Sequence, residues 1–440
     1  MFGEENMSRN VRRLAAESIQ EILVNNRFST EVVNKNIGEI DNDLDQNFYR
    51  QLVYGTTENV KYIDYILGQA SKVKIKKIEH FVLQNIRLAI YQLCFLETPS
   101  HAAINEAVKI VKKKKGYRAG NFVNGVLRNI DKNKEKYKKI DDKDYNNYLS
   151  IKYSYNRDLI DYLSQEFDRK DLESLLEAMN KTAPLSIRIN DKKISLDEFI
   201  KILDSKSIDY SKSSLSENSL IIKNPIKITD WPEFKDGLFT IQDQSSILVG
   251  QVLSPKKDSK VLDICAAPGS KTSHLAQIMD NTGCLYANDI SENKLSLIRE
   301  NLDRMNFSNY KIMNFDAMDY QEDLQEEFDY ILVDAPCSGL GIVRRKPDIK
   351  LNRTMDDIKE LSNIQFKILE NSYSYLKKGG YMVYSTCTYG KIENRDNVNR
   401  LLEAYPDLEL VKIEGKNDLE IRTDVTGSDG FFMAKIYKHD

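Results

Sequence analysis

The sequence predicts a chain of three parts: an all-α domain at the N-terminal end, a small α/β connector, and a doubly wound α/β domain at the C-terminal end. Three observations carry that expectation. Apolar residues recur at helical spacing from Val11 to about Ile130, a highly charged stretch follows over 131–144, and from about Gly237 strand-like apolar runs alternate with helical ones. At 440 residues the chain is also too long for one ordinary core. The divisions expected are 1–140, 141–236 and 237–440.

In the first part, Phe48, Leu52, Val53 and Thr56 share one helical face, as do Val60, Ile63, Ile66 and Leu67, and then Phe81, Ile86, Ala89, Ile90 and Leu93. Pro99-Ser100 opens a further helix, with Ser100 as the expected N-cap and Ala103, Ile104, Ala107, Val108 and Val111 on its apolar face. Lys112 to Lys115 end it before Gly116, where cations suit the helix C-terminus. The charged stretch reads as a linker. The connector then shows a helical run over 159–178, a strand over 185–189, a helix over 196–203, and two short strands near 208–211 and 219–222. In the last part the strands expected are 260–264, 283–287, 310–313, 330–333 and 380–384, with a terminal pair near 408–412 and 430–437. That order is the signature of a mostly parallel, Rossmann-like sheet.

Hydrophobic residues at 41% and charged residues at 30% are the balance of a soluble globular protein. No segment approaches the roughly 18 apolar residues of a membrane span, and Met1 to Asn6 lacks a signal-like pattern, so a cytoplasmic protein is expected. The five cysteines, Cys94, Cys265, Cys284, Cys337 and Cys387, form no CxxC pair, and the four histidines form no HxxxH, which argues against a disulfide framework and against a metal. The net charge of −3 hides a division: residues 1–150 carry a net +6 and the remainder −9, and within 101–140 the excess is +9. A local excess of that size is what a phosphate backbone would meet, although Lys112 to Lys115 read equally well as a solvated helix end. Trp231, beside Pro232, reads as a packing residue.

Ligands of doubly wound sheets bind outside the carboxyl ends of the strands, and the residues of chemical interest fall there. Cys265-Ala266-Ala267-Pro268-Gly269-Ser270-Lys271 turns sharply after the first strand, so its backbone can approach a ligand and the next helix can aim its N-terminus at it. The spacing departs from GxGxxG. Asp289, twenty residues beyond Gly269, suits a ribose diol, and Asp316 suits an adenine amino group. Either aspartate alone reads as a helix cap. Three acidic strand ends in succession favour S-adenosylmethionine, with a nicotinamide cofactor left open by this pattern alone.

The next two strands lead into Asp334-Ala335-Pro336-Cys337 and Ser385-Thr386-Cys387-Thr388. Two cysteines in polar, turn-forming motifs at strand ends suggest thiolate chemistry on a flipped base. Cytosine C5 is a poor nucleophile, so its methylation needs a thiolate to add at C6 and make C5 enamine-like. Asp334 suits the N3/N4 edge of the base. Spacing does not choose between the two cysteines.

Residues 262–272 (LDICAAPGSKT), 334–341 (DAPCSGLG), Arg344-Arg345-Lys346-Pro347-Asp348, Ser385-Thr386-Cys387 and Asp429-Gly430-Phe431-Phe432 resemble motifs of the Sun/Fmu type of bacterial ribosomal RNA cytosine-C5 methyltransferase. The resemblance extends through 242–246 (QDQSS) and 184–190 (PLSIRIN), while 101–108 (HAAINEAV) and 122–128 (FVNGVLR) resemble the NusB-like RNA-binding domain of that family. It therefore covers nearly the whole chain. It implies an all-α NusB-like domain, a small α/β connector that helps grip RNA, and a Rossmann-like S-adenosylmethionine-dependent methyltransferase domain. It further implies that Cys387 is the nucleophile, that Cys337 assists product release and that Asp334 engages the base. Cys265, Ala266, Ala267, Pro268, Gly269, Ser270, Lys271, Asp289, Asp316 and Asp334 would hold the cofactor. The implied substrate is a cytosine of small-subunit (16S) ribosomal RNA, cytosine 967, with Arg344, Arg345 and the basic 101–140 surface meeting phosphates.

Two departures stand out. Where the family usually has Ser and then a Glu-Asn-Glu cluster after the second cysteine, this chain has Thr388 and then Glu393-Asn394-Arg395; Ser270 stands where glycine is common. The rival expectations are the same chemistry on transfer RNA or large-subunit RNA, and a non-catalytic RNA-binding or assembly protein, against which the intact cysteine motifs count. DNA methylation is disfavoured by the two-cysteine arrangement, and a monomer is the default expectation.

Overall fold

A computed structural model describes residues 10–96, 98–223 and 227–440; the expectation drawn from Met1 to Asn6 lies outside them. Two compact units result, one formed by the chain up to Asn180 together with Val343–Thr354, the other by Lys181–Ile342 and Met355–Asp440.

The first unit is helical. Helices Val11–Asn25, Ser29–Ile37, Asp43–Glu58, Val60–Ala70, His80–Phe95 and Ser100–Lys132 bury the stripes expected of them, with Leu52, Val53, Ile63, Ile66, Leu67, Ile86, Ala89, Ile90, Leu93, Ala103, Ile104 and Val111 all in one core. His80–Phe95 is apolar around most of its circumference because its neighbours pack on it from several sides. Three local expectations need correction. Pro99, not Ser100, occupies the N-cap, and Ser100 is the first helical residue; Pro pre-sets the extended backbone there and no side chain caps the end. The charged stretch is not an open linker: the helix runs to Lys132, and Lys134–Lys138 adds another turn. Tyr62 donates to Lys138 O at 2.6 Å and Gln69 to Tyr137 O at 2.8 Å, so tertiary bonds hold a backbone whose charged side chains face solvent. The run over 159–178 is two helices, Arg157–Glu166 and Arg169–Met179, because Asp168 turns its carboxylate onto Asp171 N (2.8 Å) and caps a new start. Within Ser100–Lys132 the expected break does occur at Gly116, whose φ of 84° and ψ of 174° favour a residue without Cβ.

Val343–Thr354, which carries Arg344 and Arg345, belongs to this helical unit. Asn156 N donates to Lys350 O at 2.8 Å, and the buried Lys350 ammonium donates to Tyr153 O (2.9 Å) and Asn180 Oδ1 (2.7 Å). Burial pushes Lys350 down to about 8, against the opposing pull of Glu58.

The second unit holds two sheets. In the smaller, β1 (Leu185–Ile189), β2 (Tyr210–Lys212), β3 (Ser219–Ile222) and β4 (Phe239–Ile241) run antiparallel in the order β2-β3-β1-β4, backed by helix Leu196–Ser205 with its Ser195/Glu198 capping box. Trp231 packs edge-on to Phe239 in this core, as its packing role requires. The larger sheet contains β5 (Lys260–Asp263), β6 (Cys284–Asn288), β7 (Tyr310–Met313), β8 (Phe328–Asp334), β9 (Leu376–Thr386), β10 (Leu408–Val411), β11 (Leu419–Ile421) and β12 (Phe431–Lys438). Its order is β10-β12-β9-β8-β5-β6-β7, with β11 on β12; β9-β8-β5-β6-β7 are parallel and β12 is antiparallel to β9. Alternation assigns the faces: Val261, Leu332 and Val383 enter one core with helix Ser270–Ile278, while Leu262, Ile331, Val333, Met382 and Tyr384 enter the other with helix Met355–Tyr375. Short β4 and β11, three residues each, escaped the sequence pattern because a period of two needs more residues to show.

Candidate active site

The switch in strand order falls at β5, whose neighbours are β8 and β6, and the loops after β5, β6, β8 and β9 gather at the carboxyl ends there. After β5 the chain turns through Cys265 to Gly269 into helix Ser270–Ile278. Gly269 has φ of 99°, and a Cβ on it would lie 2.9 Å from Ile298 Cα, so both conformation and space demand glycine. Ala266 N donates to Asn288 O (2.7 Å) and Ala267 N to Asp289 Oδ2 (3.1 Å), which ties this loop to the end of β6. Ser270, the first helical residue, has no need of glycine there.

Asn288 is a hub that sequence reasoning missed. Wholly buried, it donates to Ile264 O (3.0 Å) and Phe315 O (3.1 Å) and accepts from Phe315 N (2.9 Å), fastening the ends of β5, β6 and β7 together. Asp289 Oδ1 accepts from Ser291 N at 2.9 Å, and Asp316 Oδ1 from Met318 N at 2.9 Å, so each aspartate also closes a local turn. Beneath the loop, Asp263 is buried, takes the Thr272 hydroxyl on Oδ2 at 2.7 Å and leaves Oδ1 without a partner among the described residues. Burial pushes its carboxyl up to about 7, with Asp334 adding to the effect against the Thr272 bond. Burial likewise drives the Cys265 thiol well up, so that side chain packs rather than reacts. An orphaned acceptor, a backbone cradle that excludes a Cβ and carboxylates at successive strand ends form a donor and acceptor set that fits S-adenosylmethionine.

Across β8 and β9 the parallel register pairs Val333 with Tyr384 and Asp334 with Ser385. The loops that follow therefore leave side by side, and Cys337 Sγ lies 3.2 Å from Cys387 Sγ, both thiols free and half-buried. Asp334 is held at both oxygens: Lys271 Nζ donates to Oδ2 at 2.8 Å and Ser385 Oγ to Oδ1 at 2.8 Å. Burial works to lower Lys271, but the Asp334 carboxylate outweighs it and the net shift is upward, so the ammonium stays charged above Phe431, 5.0 Å from the ring centre. Cys337 is pushed well above the ordinary thiol range by its hydrogen bond to Cys387, then by burial and by the charges of Cys387 and Glu393. The Lys271–Asp334 pair and the meeting of the two sulfurs join residues that lie 63 and 50 positions apart, and neither was visible in the sequence.

Arg395, which replaces an acid of the family pattern, starts helix Arg395–Ala404 and pairs with Asp418 (2.8 Å) and Glu420 (3.3 Å). The preceding Glu393 and Asn394 are buried between the two cysteine loops. Among the described residues, no group of three or more His, Cys, Asp or Glu side chains is placed to hold a metal, and no helix is long and apolar enough to cross a membrane.

Comparison with known proteins agrees in every part of the chain. Residues 250–437 match the model of the 16S rRNA methyltransferase RsmB/F family, residues 9–132 that of the NusB family, and residues 156–229 that of the RsmF/B-like ferredoxin-like domain. The probable ribosomal RNA small subunit methyltransferase B of Bacillus subtilis (strain 168) is 34% identical over 97% of this chain and 98% of its own length. The crystal structure of PH0851 covers 97% of this chain and 98% of its own at a TM-score of 0.82 and 24% identity, a likeness of fold. A methyltransferase homolog protein from Pyrococcus horikoshii is 34% identical over 67% of this chain and 99% of its own, with a TM-score of 0.61. The chain belongs to the RsmB/F family of 16S ribosomal RNA methyltransferases, which use S-adenosylmethionine.

Proposed function

We propose that this protein methylates C5 of a cytosine in small-subunit 16S ribosomal RNA, cytosine 967, through a covalent adduct between the Cys387 thiolate and C6. The observation that carries the reading is the pair of free sulfurs 3.2 Å apart beside the Lys271–Asp334 clamp. The family pattern makes Cys387, in the Ser385-Thr386-Cys387 motif, the sulfur that attacks. Addition at C6 makes C5 the nucleophile. Once C5 has taken the methyl, a base removes the C5 proton, the Cys387–C6 bond breaks by elimination, and Cys337, beside the departing sulfur, assists its release. Asp334, oriented by Lys271 and Ser385, hydrogen-bonds the N3/N4 edge of a base splayed from its stack. Cys265 to Lys271, with Asp289, Asp316 and Asp334, hold S-adenosylmethionine, whose sulfonium methyl is the group transferred.

Residues 1–140 and the connector over 141–236 grip the RNA, and 237–440 perform the chemistry, in a cytoplasmic monomer that acts on RNA and not on DNA. Labelled methyl transfer to deproteinised 16S RNA, with adducts followed on denaturing gels, tests the reading. Cys387→Ala should give neither product nor adduct, and Cys337→Ala should accumulate adduct. Product from Cys387→Ala would refute the assignment.

A further inference from the structure

The two cysteine loops are joined by more than their sulfurs. Glu393 is wholly buried and accepts at both oxygens: from Ser338 N (2.8 Å) and Gln365 Nε2 (2.9 Å) on Oε1, and from Ser338 Oγ (2.5 Å) on Oε2. Gln365 Nε2 also donates to Pro336 O at 2.8 Å, so both neighbours of Cys337 are held by this one cluster. On the other loop, Thr388 Oγ1 lies 2.6 Å from Ser338 Oγ and accepts from Leu340 N at 3.2 Å. Asn394 donates to Thr388 O (3.2 Å) and accepts from Thr386 Oγ1 (2.6 Å), which secures both neighbours of Cys387. Tyr384 OH donates to the Glu393 backbone oxygen at 2.5 Å. Donors aimed at both oxygens are what an ionised carboxylate requires, and linked hydroxyls strengthen one another in a buried chain.

We propose that Glu393 is a positioning residue that ties the Cys337 loop to the Cys387 loop and so sets the distance between the two sulfurs. The inference rests on the two-cysteine reading of the reaction. Replacing Oε2 with an amide NH2 removes the acceptor of Ser338 Oγ and sets a donor in its place, so the hydroxyl link between the loops is lost and they part. Glu393 also acts through space, since its charge is among those that keep the proton on Cys337.

The test uses the full-length chain and dibromobimane, a fluorogenic reagent that bridges only neighbouring thiols and needs neither RNA nor cofactor, with peptide mapping of the Cys337–Cys387 bridge. Glu393→Gln should bridge about 10- to 100-fold more slowly, the order expected for a misplacement near 1 Å. The pH profile of Cys337 alkylation should move to lower pH, because the closeness of Cys387 and the charge of Glu393 both raise that thiol, whereas a loss of overall stability alone would leave it in place. Ser338→Ala, which keeps the charge but cuts the hydroxyl link, should slow bridging by a smaller factor and move that profile less. Wild-type bridging and an unmoved profile in a folded Glu393→Gln chain would overturn the proposal; should that variant not fold, unchanged bridging in Ser338→Ala would overturn it. A wild-type chain that bridges readily but methylates no RNA refutes the proposed reaction while leaving the role of Glu393 intact.

Discussion

Around the two cysteine loops, the polar side chains are largely buried and bound to partners distant in sequence, as Lys271 is to Asp334 and Ser338 to Glu393. Along the basic run of the helical unit the charges are exposed, and their uses differ from one residue to the next. Lys114 pairs with Glu17 (2.9 Å) over the Phe81 ring, Lys115 pairs with Glu79 (3.0 Å), and Lys112 lies 5.3 Å from the ring centre of exposed Tyr117. Lys113 makes no ion pair among the described residues. Two of these four lysines thus pair with carboxylates of the protein itself. The difference is one of dielectric and geometry: a buried, oriented contact is worth several times an exposed, screened one.

The largest effect should come from breaking the Lys271–Asp334 clamp. Lys271→Met leaves the Asp334 carboxylate, 26% exposed, without its cation. We expect kcat/KM for methyl transfer to fall roughly 100- to 1000-fold, and stability to drop by about 2–3 kcal/mol, read by single-turnover kinetics and urea melts. A loss below about 3-fold would erase the contrast between the two regions.

Asp263 sharpens the comparison from beneath the cofactor loop. Its folded pKa, about 7, lies above its unfolded value near 3.8, so between those limits the folded chain holds a proton that the unfolded chain has released. Its contribution to stability is therefore complete below about pH 4 and is lost as pH rises to about 7, a change of up to about 4 kcal/mol. Asp263→Asn should flatten that fall, and denaturant titrations of both chains between pH 5 and pH 8, within the range ordinary buffers allow, will show whether the two curves converge at low pH.

Smallest is the expected effect in the basic run. Lys113→Ala should weaken RNA binding uniformly across sequences and lower the salt slope by about 1. Lys114→Ala should also cost up to about 1 kcal/mol of stability, because it removes the Glu17 pair. Binding isotherms at several salt concentrations separate the two, and a salt slope equal to wild type in Lys113→Ala would remove that residue from the RNA-contacting surface.

Much of the site was legible because strands of a parallel sheet announce themselves. Runs such as Tyr330 to Val333 are apolar on both faces, and the polar residue that ends each run marks the edge where ligands bind. The same reasoning failed where tertiary contacts decide: Tyr62 and Gln69 convert a charged stretch into helix, and Asp168 divides a continuous apolar pattern in two. Glu393 was visible as a retained motif residue, but nothing local shows that it bonds to the far side of Cys337. Asn288 left no signal, since a buried amide between strand ends resembles any turn asparagine.

By itself, the sequence determined the helical N-terminal part, the Rossmann-like C-terminal part with most of its strands, and which residues stand at strand ends, because these follow from periodicities of 2 and 3.6 and from short motifs. Tertiary structure alone decided that Cys337 and Cys387 meet, that Lys271 serves Asp334, and that two of the four lysines in the basic run pair with Glu17 and Glu79. Those outcomes depend on the β8–β9 register and on helix packing, where partners far apart in the chain are brought within a few ångströms by contacts that no local pattern encodes.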